Sequence, residues 1–369
     1  LVDEINLIKL PGLDLFQTFS FKERLKIFYN KKNKKLIDFY EFISIFFGGF
    51  PEMRTFGYRA NKFLKLSPDY DVVIDNQSLS YGILKIQKRL PFIEIIHHPI
   101  SKDYKFELET ASSFLYKLSR HRWYSFLKMQ KRVAKDINNI ITPSKNSLKD
   151  ISVDFNVNQK NINVINNGLD IDTFIPYKNI KRDPFRLITT ASADVALKGL
   201  DYSLKSLAIL SKTFPEISLL VIGQLKKDGH TSRLIEELGI GARIIFKTGL
   251  TKEEIAKEYA SSSVAIVSSL YEGFGYPVIE AMSCEVPLIA TNTSSIPELV
   301  GDFATLIPPM NENDLSEAIK NILTNFKKYE KIAENGRHHI IENFNWLKIT
   351  QEYEDMIYKT IQDFNNANL

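Results

Sequence analysis

Short runs of β-forming residues alternate with longer helical patterns along almost the whole chain, and this alternation restricts the fold more than any other feature. It is typical of parallel sheets covered by helices. The first half predicts strands at Ile5–Leu10, Asp71–Ile74, Phe92–Ile96, Asn139–Thr142 and Ile162–Ile165. The second half predicts strands at Phe185–Thr190, Ser218–Ile222, Arg243–Phe246, Val264–Val267 and Pro287–Ala290.

A break in this pattern divides the chain in two. The segment Asp170–Pro184 holds two prolines and no apolar period, which favours a linker. With 369 residues and a typical domain of about 150, we expect an N-terminal domain over residues 1–175 and a second over 176–345. Residues 346–369 are expected to form a helix that crosses back to the first domain. The predicted fold class is α/β, with two doubly wound parallel sheets and a ligand cleft at the carboxyl ends of their strands.

Composition excludes several classes of protein. The single cysteine, Cys284, rules out an internal disulfide and zinc sites built from paired cysteines, so we expect a reducing, cytoplasmic setting. No apolar run reaches the length of a membrane span, the richest stretch being Phe42–Phe50. Residues 1–180 carry a net charge of +9 and residues 181–369 one of −5, which indicates different partners for the two halves.

The densest chemical signal is Ser268–Met282, which reads Ser-Ser-Leu-Tyr-Glu-Gly-Phe-Gly-Tyr-Pro-Val-Ile-Glu-Ala-Met. It follows a predicted strand, contains two glycines and opens a helix near Gly275 and Pro277. A strand, a glycine loop and a helix N-terminus together form a binding site for anions. Glu272 lies in the loop and Glu280 in the helix, where carboxylates can accept hydrogen bonds from vicinal hydroxyls.

This motif resembles that of the retaining glycosyltransferases of family 4, which have the GT-B fold of two facing Rossmann-like domains and use nucleotide-sugar donors. The resemblance implies that Glu272 contacts the transferred sugar and that Glu280 binds the ribose hydroxyls. It also implies that the backbone at Phe274, Gly275 and Tyr276 meets the sugar and the diphosphate. A capped surface helix with incidental glutamates is the alternative interpretation.

A second element, Lys198-Gly199, follows the strand Phe185–Thr190. The resemblance implies that this lysine holds the donor diphosphate together with an arginine, but Thr190 to Ser192 stand where that arginine is usual. Diphosphate binding is therefore assigned to Lys198, Gly199, Ser192 and helix-end amides. The remaining donor-binding candidates follow two further strands and could also be ordinary turns: Gly223, Thr248 and Gly249.

The first half offers polar residues at two strand ends, Asn76 and the pair His97-His98. A histidine there can bind sugar hydroxyls or move a proton. The family often has a histidine at this position, which we assign to His97 as a catalytic residue, with His98 as its rival and Asn76 beside them on the acceptor side. A metal site is disfavoured because adjacent side chains diverge and no third ligand is in register. No metal or permanently bound cofactor is predicted, only a UDP- or GDP-sugar as donor substrate.

Basic and aromatic residues are interleaved at helical spacing over Leu115–Lys135, and Phe21–Lys35 adds another basic set. Such a helix can lie on an anionic membrane surface, and a core helix with a solvated basic face is the alternative. Nucleic-acid binding is disfavoured because the acidic second half would repel phosphate.

The predicted function is a retaining hexosyltransferase that serves a glycan or lipid-linked acceptor in cell-surface polysaccharide or glycolipid synthesis. It is expected in the cytoplasm, peripherally at the inner membrane face. The alternatives are a non-catalytic subunit that binds sugar nucleotides or glycans, and a soluble sugar-phosphate synthase of the same fold. Because the chain starts at Leu1 and the family's opening strand, glycine loop and helix are not evident before Asp71, the first domain is expected to be truncated, with an exposed sheet edge.

Overall fold

A computed structural model describes residues 5–10, 12–18, 20–66, 69–111, 113–191 and 194–367. The helices of this part of the chain are α1 Phe21–Asn30, α2 Leu36–Phe46, α3 Glu52–Leu66, α4 Tyr81–Gln87, α5 Ser101–Thr110, α6 Phe114–Trp123, α7 Leu127–Ala134, α8 Lys145–Phe155, α9 Leu200–Leu210, α10 His230–Leu238, α11 Lys252–Ala260, α12 Tyr276–Ser283, α13 Ile296–Val300, α14 Glu312–Thr324, α15 Phe326–Asn343 and α16 Trp346–Ala367. The strands are β1 Val73–Asn76, β2 Phe92–Ile95, β3 Ile140–Thr142, β4 Ile162–Val164, β5 Arg186–Thr190, β6 Ser218–Ile222, β7 Ile244–Lys247, β8 Val264–Val267, β9 Leu288–Thr291 and β10 Thr305–Ile307.

The chain divides into two compact units. The first holds the chain up to Thr142, Leu148–Val164 and the chain from Glu354 onward, and the second holds Pro143–Ser147 and Ile165–Tyr353. The long helix α16 therefore contributes its first two turns to the second unit and its remainder to the first.

The first unit contains a parallel sheet in the order β1-β2-β3-β4. Its core packs helices α4, α7 and α8 against the sheet through residues such as Ile86, Phe92, Val133, Ile140 and Phe155. A buried parallel strand needs apolar residues on both faces, and β3 meets that requirement because all its residues are buried.

The second unit contains a parallel sheet in the order β10-β9-β8-β5-β6-β7. Counted within this unit, the strand order is 6-5-4-1-2-3, which is the doubly wound order. Strands are first added on one side of β5 and then, from β8 onward, on the other side, so the order reverses between β5 and β8. Separate apolar clusters cover the two faces, one around Val278 and Met282 of α12 and the other around Leu204 and Leu207 of α9. The loops after β5 and β8 thus lie at the reversal point, where open α/β sheets bind ligands.

The sequence predicted most strands to within one or two residues, but one predicted strand is wrong, one strand was missed and one predicted helix is interrupted. Ile5–Leu10 is not a strand: it has no partner strand among the described residues, and Ile5 and Leu7 are exposed. Strand β10 was missed because Pro308 and Pro309 directly follow its short apolar run, a pattern that favours a loop. The segment Leu115–Lys135 is not one helix, because a 3-10 turn at Tyr124–Phe126 separates α6 from α7.

Candidate functional site

The predicted donor-site residues follow the carboxyl ends of four neighbouring strands in the second unit. Lys198 and Gly199 follow β5, Glu272 follows β8, and Gly223 and Thr248 follow β6 and β7. In a parallel sheet these ends share one edge, so the sheet order brings together residues far apart in sequence. Gly249 follows Thr248 with a φ of +71°. Ser192 lies outside the described residues.

Glu272 and Lys198 form an ion pair although 74 positions separate them. Lys198 Nζ donates to Glu272 Oε1 at 2.7 Å, and the Ser269 hydroxyl donates to the same oxygen at 2.7 Å. The glutamate is buried while the lysine side chain is about a third exposed. The carboxylate is therefore fixed, and the ammonium group can still reach an incoming anion.

Hydrogen bonds to the backbone immobilise the loop that carries Glu272. The Ser295 hydroxyl donates to the carbonyl oxygens of Glu272 and Phe274, at 2.9 and 2.6 Å. The hydroxyls of Ser144 and Ser147 both donate to the carbonyl of Gly273, at 2.7 and 2.9 Å. Buried carbonyls satisfied in this way do not need to rearrange when a ligand arrives.

Gly199 brings the lysine turn against the glutamate loop. Its φ is +62°, and a Cβ atom there would lie 2.0 Å from the carbonyl oxygen of Ser268. The amide of Leu270 donates to the carbonyl of Leu197 at 2.7 Å across the same contact. Only glycine permits so close an approach, which explains why it follows Lys198.

Helix α12 begins directly after this loop. Gly275 is its N-cap residue with a φ of +110°, and Pro277 occupies its first turn, as the sequence predicted. The N-terminus of a helix carries a partial positive charge and unpaired amides, and both complement an anion. This N-terminus lies beside Glu272, which pairs with Lys198, so a cation, a carboxylate and the end of a helix occupy one place.

Glu280 projects from the second turn of α12 into a less polar setting. Burial raises the pKa of Glu280 to about 7, although a hydrogen bond from Tyr259 and the charge of Lys252 both lower it. The Tyr259 hydroxyl lies 3.4 Å from Glu280 Oε2. At neutral pH this carboxyl group exchanges readily between its neutral and charged forms, and a ligand that donates hydrogen bonds would favour the charged form.

In the first unit, the strand-end residues form a hydrogen-bonded group. His97 Nε2 and Asn76 Oδ1 lie 2.8 Å apart. The Gln77 side chain accepts from the amide of His97 and donates to the carbonyl of His98, both at 2.8 Å. Burial lowers the pKa of His97, and neighbouring His98 lowers it further, so this imidazole is neutral at pH 7.

The ring of His98 makes a different contact, because its Nε2 pairs with Asp103 Oδ2 at 2.8 Å. The structure joins the ring of His97 to Asn76. In the part of the chain that the structure describes, no three or more His, Cys, Asp or Glu side chains are grouped so that they could hold a metal ion.

Sequence reasoning assigned no role to the residues that hold the site together. Ser269 and Ser295 each lie in a doublet of serines, Ser268-Ser269 and Ser294-Ser295, at strand ends of the second sheet. Gln77, which positions His97, directly follows Asn76 and has a φ of +64°. Small hydroxyl residues beside strand ends were the available signal, but they are common in ordinary turns.

Comparison with known proteins identifies the family. Residues 19–173 match the family described as Glycosyltransferase Family 4, and residues 172–339 match the one described as Glycosyl transferases group 1. Over 362 residues the chain is 35% identical to an MMP alpha-(1->4)-mannosyltransferase of Mycolicibacterium hassiacum, covering 97% of this chain and 86% of that protein. The chain belongs to glycosyltransferase family 4.

Solved structures agree on the fold of this family 4 chain. A sucrose-phosphate synthase from Thermosynechococcus elongatus has a TM-score of 0.71 at 20% identity, covering 84% of this chain and 78% of that one. HepE of Anabaena, solved with UDP and glucose, has a TM-score of 0.66 at 19% identity, covering 82% and 81% of the two chains. The predicted GT-B class, two parallel-sheet α/β domains, is confirmed.

The prediction of an enzyme of the hexosyltransferase class is confirmed by the same relationship, since the chain is a glycosyltransferase related to a mannosyltransferase. Among the described residues, no helix combines the length and apolar character needed to cross a membrane.

Proposed function

We propose that this glycosyltransferase transfers a hexosyl group, with retention of anomeric configuration, from a UDP- or GDP-sugar to a glycan or lipid-linked acceptor of the cell surface. The observation that carries the proposal is the Lys198–Glu272 pair, held at the reversal point of the second sheet beside the N-terminus of α12. That arrangement provides a cation and helix amides for a diphosphate, next to a fixed carboxylate for a sugar.

The donor half of the reaction follows from these charges. When the bond between the sugar C1 and the diphosphate oxygen breaks, positive charge grows on the sugar and negative charge on the leaving diphosphate. Lys198 and the first turn of α12 stabilise the diphosphate, while the Glu272 carboxylate accepts hydrogen bonds from sugar hydroxyls and orients C1. The charged carboxylate of Glu280 accepts hydrogen bonds from the two ribose hydroxyls of the nucleotide.

The acceptor half is assigned to the first unit. The neutral His97 imidazole, oriented through its contact with Asn76, can take the proton of the acceptor hydroxyl as that oxygen bonds to C1. The diphosphate leaves C1 with the electron pair of the broken bond. Neutrality matters because a protonated imidazole has no free lone pair.

The nature of the sugar is the most specific part of the proposal. The relative with 35% identity is named as a mannosyltransferase, so mannose is the first hexose to test. HepE was solved with UDP and glucose, which keeps UDP and glucose in the donor panel.

Isothermal titration with ADP, GDP, UDP and TDP tests the donor site, followed by product analysis with the sugar nucleotide of whichever base binds. We expect one base to be preferred and a glycosidic product with retained configuration. Glu272→Gln should keep nucleotide binding and lose transfer, whereas Glu253→Gln, an exposed change on α11, should alter neither. Absence of binding by all four nucleotides would contradict the proposal, and binding without transfer or hydrolysis would favour the non-catalytic alternative.

A further inference from the structure

Helix α2 buries carboxylates and exposes apolar side chains, the opposite of an ordinary amphipathic surface helix. Its carboxylates face inward: Asp38 and Glu41 are only 1% and 4% exposed. Lys31 Nζ lies 2.7 Å from Asp38, and Arg59 of α3 pairs with both Asp38 and Glu41. A surface helix normally turns its polar residues to water and its apolar residues to the core.

The opposite face of α2 is apolar and open to solvent. Leu36 is 89% exposed and Phe47, which caps the helix, 64%. The exposed residues recur every three or four positions and so share one face: Leu36, Phe39, Tyr40, Ile43, Phe46 and Phe47. Phe21 of α1 extends this surface, since its ring lies 5.6 Å from that of Phe46. An apolar surface of this continuity is typical of a docking site.

The charge around this surface is strongly positive. Residues 21–66 contain eight lysines, three arginines and four carboxylates, a net charge of +7. Of the four carboxylates only Glu23 is exposed. The exposed lysines, by contrast, have no carboxylate within ion-pair distance among the described residues: Lys22, Lys26, Lys32, Lys35, Lys62 and Lys65.

The turn between α1 and α2 adds a basic hollow. A cavity of about 460 Å³ is lined by Lys31, Lys32, Lys35 and Lys62 together with the aromatic ring of Phe63. The cations suit a phosphate group and the aromatic wall suits the carbon chain attached to it.

We propose that the α1–α2 hairpin docks this protein on an anionic phospholipid bilayer, with the apolar face of α2 among the acyl chains and the lysines at the headgroups. An interfacial helix combines these two features. The other macromolecules fit less well: a nucleic acid would leave Leu36 and Ile43 uncovered, and a second copy of the chain would bring two surfaces of charge +7 together. The inference goes beyond the proposed donor chemistry and does not depend on it.

This location is not Leu115–Lys135, the main segment that the sequence predicted, but it includes the second basic set at Phe21–Lys35. In the structure α7 is a core helix, with Leu127, Met129 and Val133 buried. Helix α6 still exposes Phe114 and Leu115 at its start, so it provides a matched control surface on the same unit.

Co-sedimentation with vesicles tests the proposal, using phosphatidylcholine alone and phosphatidylcholine containing phosphatidylglycerol. We expect the unaltered protein to bind only the anionic vesicles, and less at high salt. The variant Lys32→Gln/Lys35→Gln should weaken binding by about a factor of five for each lysine. Leu36→Gln/Ile43→Gln should weaken it by at least about tenfold, and Phe114→Gln/Leu115→Gln should leave it unchanged. Because all six positions are exposed or at the surface, the melting temperature of each variant should stay close to that of the parent.

Three outcomes would overturn the proposal: no binding to anionic vesicles, loss of binding only in the α6 variant, or light scattering that shows an oligomer which the α2 substitutions dissociate. The last result would assign the surface to a second copy of the chain. Nucleoside diphosphate titration of the same preparations keeps the donor site separate, since the α2 variants should bind nucleotide as the parent does.

Discussion

At the scale of single residues, the meeting of Lys198 and Glu272 makes the clearest prediction about donor binding. Replacing Lys198 with alanine removes a charge-assisted hydrogen bond to the diphosphate and should weaken nucleoside diphosphate binding roughly 10- to 100-fold. The free energy of unfolding should also decrease, because the buried Glu272 carboxylate loses its cationic partner. Titration calorimetry measures the first effect and urea denaturation the second. Lys212→Ala, at the far end of α9, is the control, and equal loss in both variants would refute the assignment.

Glu280 predicts that nucleotide binding depends on pH. Because burial raises its pKa to about 7, the carboxyl group is largely protonated below neutrality and accepts ribose hydroxyls less well. Affinity for the preferred nucleoside diphosphate should therefore rise between about pH 6 and about pH 8, as measured by calorimetry. Glu280→Gln should bind more weakly and without this slope. A parent protein whose affinity is flat over that range would show that Glu280 does not meet the ribose.

The buried pair Asp75 and Glu94 predicts an effect on stability in the first unit. The two residues are neighbours across β1 and β2, and both side chains are buried. Burial raises the pKa of Glu94 well above its ordinary 4.5, and the Asp75 carboxylate raises it further. Above about pH 4.5 the folded protein therefore holds a proton on Glu94 that the unfolded chain releases. The resulting contribution to the free energy of unfolding is highest below that pH, and it is lost as pH rises toward the pKa of Glu94 in the folded state.

Glu94→Gln should remove this pH dependence, because a glutamine of the same shape stays neutral and can still donate to Asp75. Its free energy of unfolding, relative to the parent, should increase as pH rises above about 4.5. Urea denaturation over a pH series measures it, with the exposed Glu109→Gln as control. Parallel curves for parent and Glu94→Gln would show that Glu94 is already charged in the folded state.

At the scale of elements, the turn that ends in Gly199 predicts a stability difference between two glycines of similar conformation. Gly199 and Gly239 have φ values of +62° and +64°, so alanine costs both about 1 kcal/mol of backbone strain. At Gly199 the new Cβ would also lie 2.0 Å from a backbone oxygen, while at Gly239 nothing lies within 4 Å. Gly199→Ala should therefore lower the melting temperature several times more than Gly239→Ala, measured by calorimetry. Equal shifts would mean that the glutamate loop moves aside easily.

Most elements were predictable because their signals are local. Four consecutive buried residues mark β8, and Leu200, Leu204, Leu207 and Leu210 mark the buried face of α9. The predictions failed where a distant partner decides the outcome. Residues 5–10 alternate like a strand but have no ladder to join among the described residues, and the break between α6 and α7 accompanies burial of Tyr124 and Phe126 in a cluster with Phe50.

At the scale of the whole molecule, the division into two units predicts two thermal transitions in calorimetry. The preferred nucleoside diphosphate should raise the melting temperature of the second unit only. At a hundredfold excess over its dissociation constant, it should increase the free energy of unfolding of that unit by about 2.7 kcal/mol. Lys198→Ala should shift this transition less at the same concentration. A single transition that moves as a whole would show that the two units unfold cooperatively.

By itself, the sequence determined the α/β class, and it placed the glycine-containing glutamate motif Ser268–Met282 and the turn Lys198-Gly199 after strands of the second sheet. These features depend on residue period and on turn geometry, both of which are local. Only the tertiary structure decided which residues meet. Lys198 and Glu272 form an ion pair because the doubly wound order places β5 beside β8. The carboxylates of α2 turn inward because Arg59 and Lys31 lie there to pair with them, which leaves the apolar face of that helix outward.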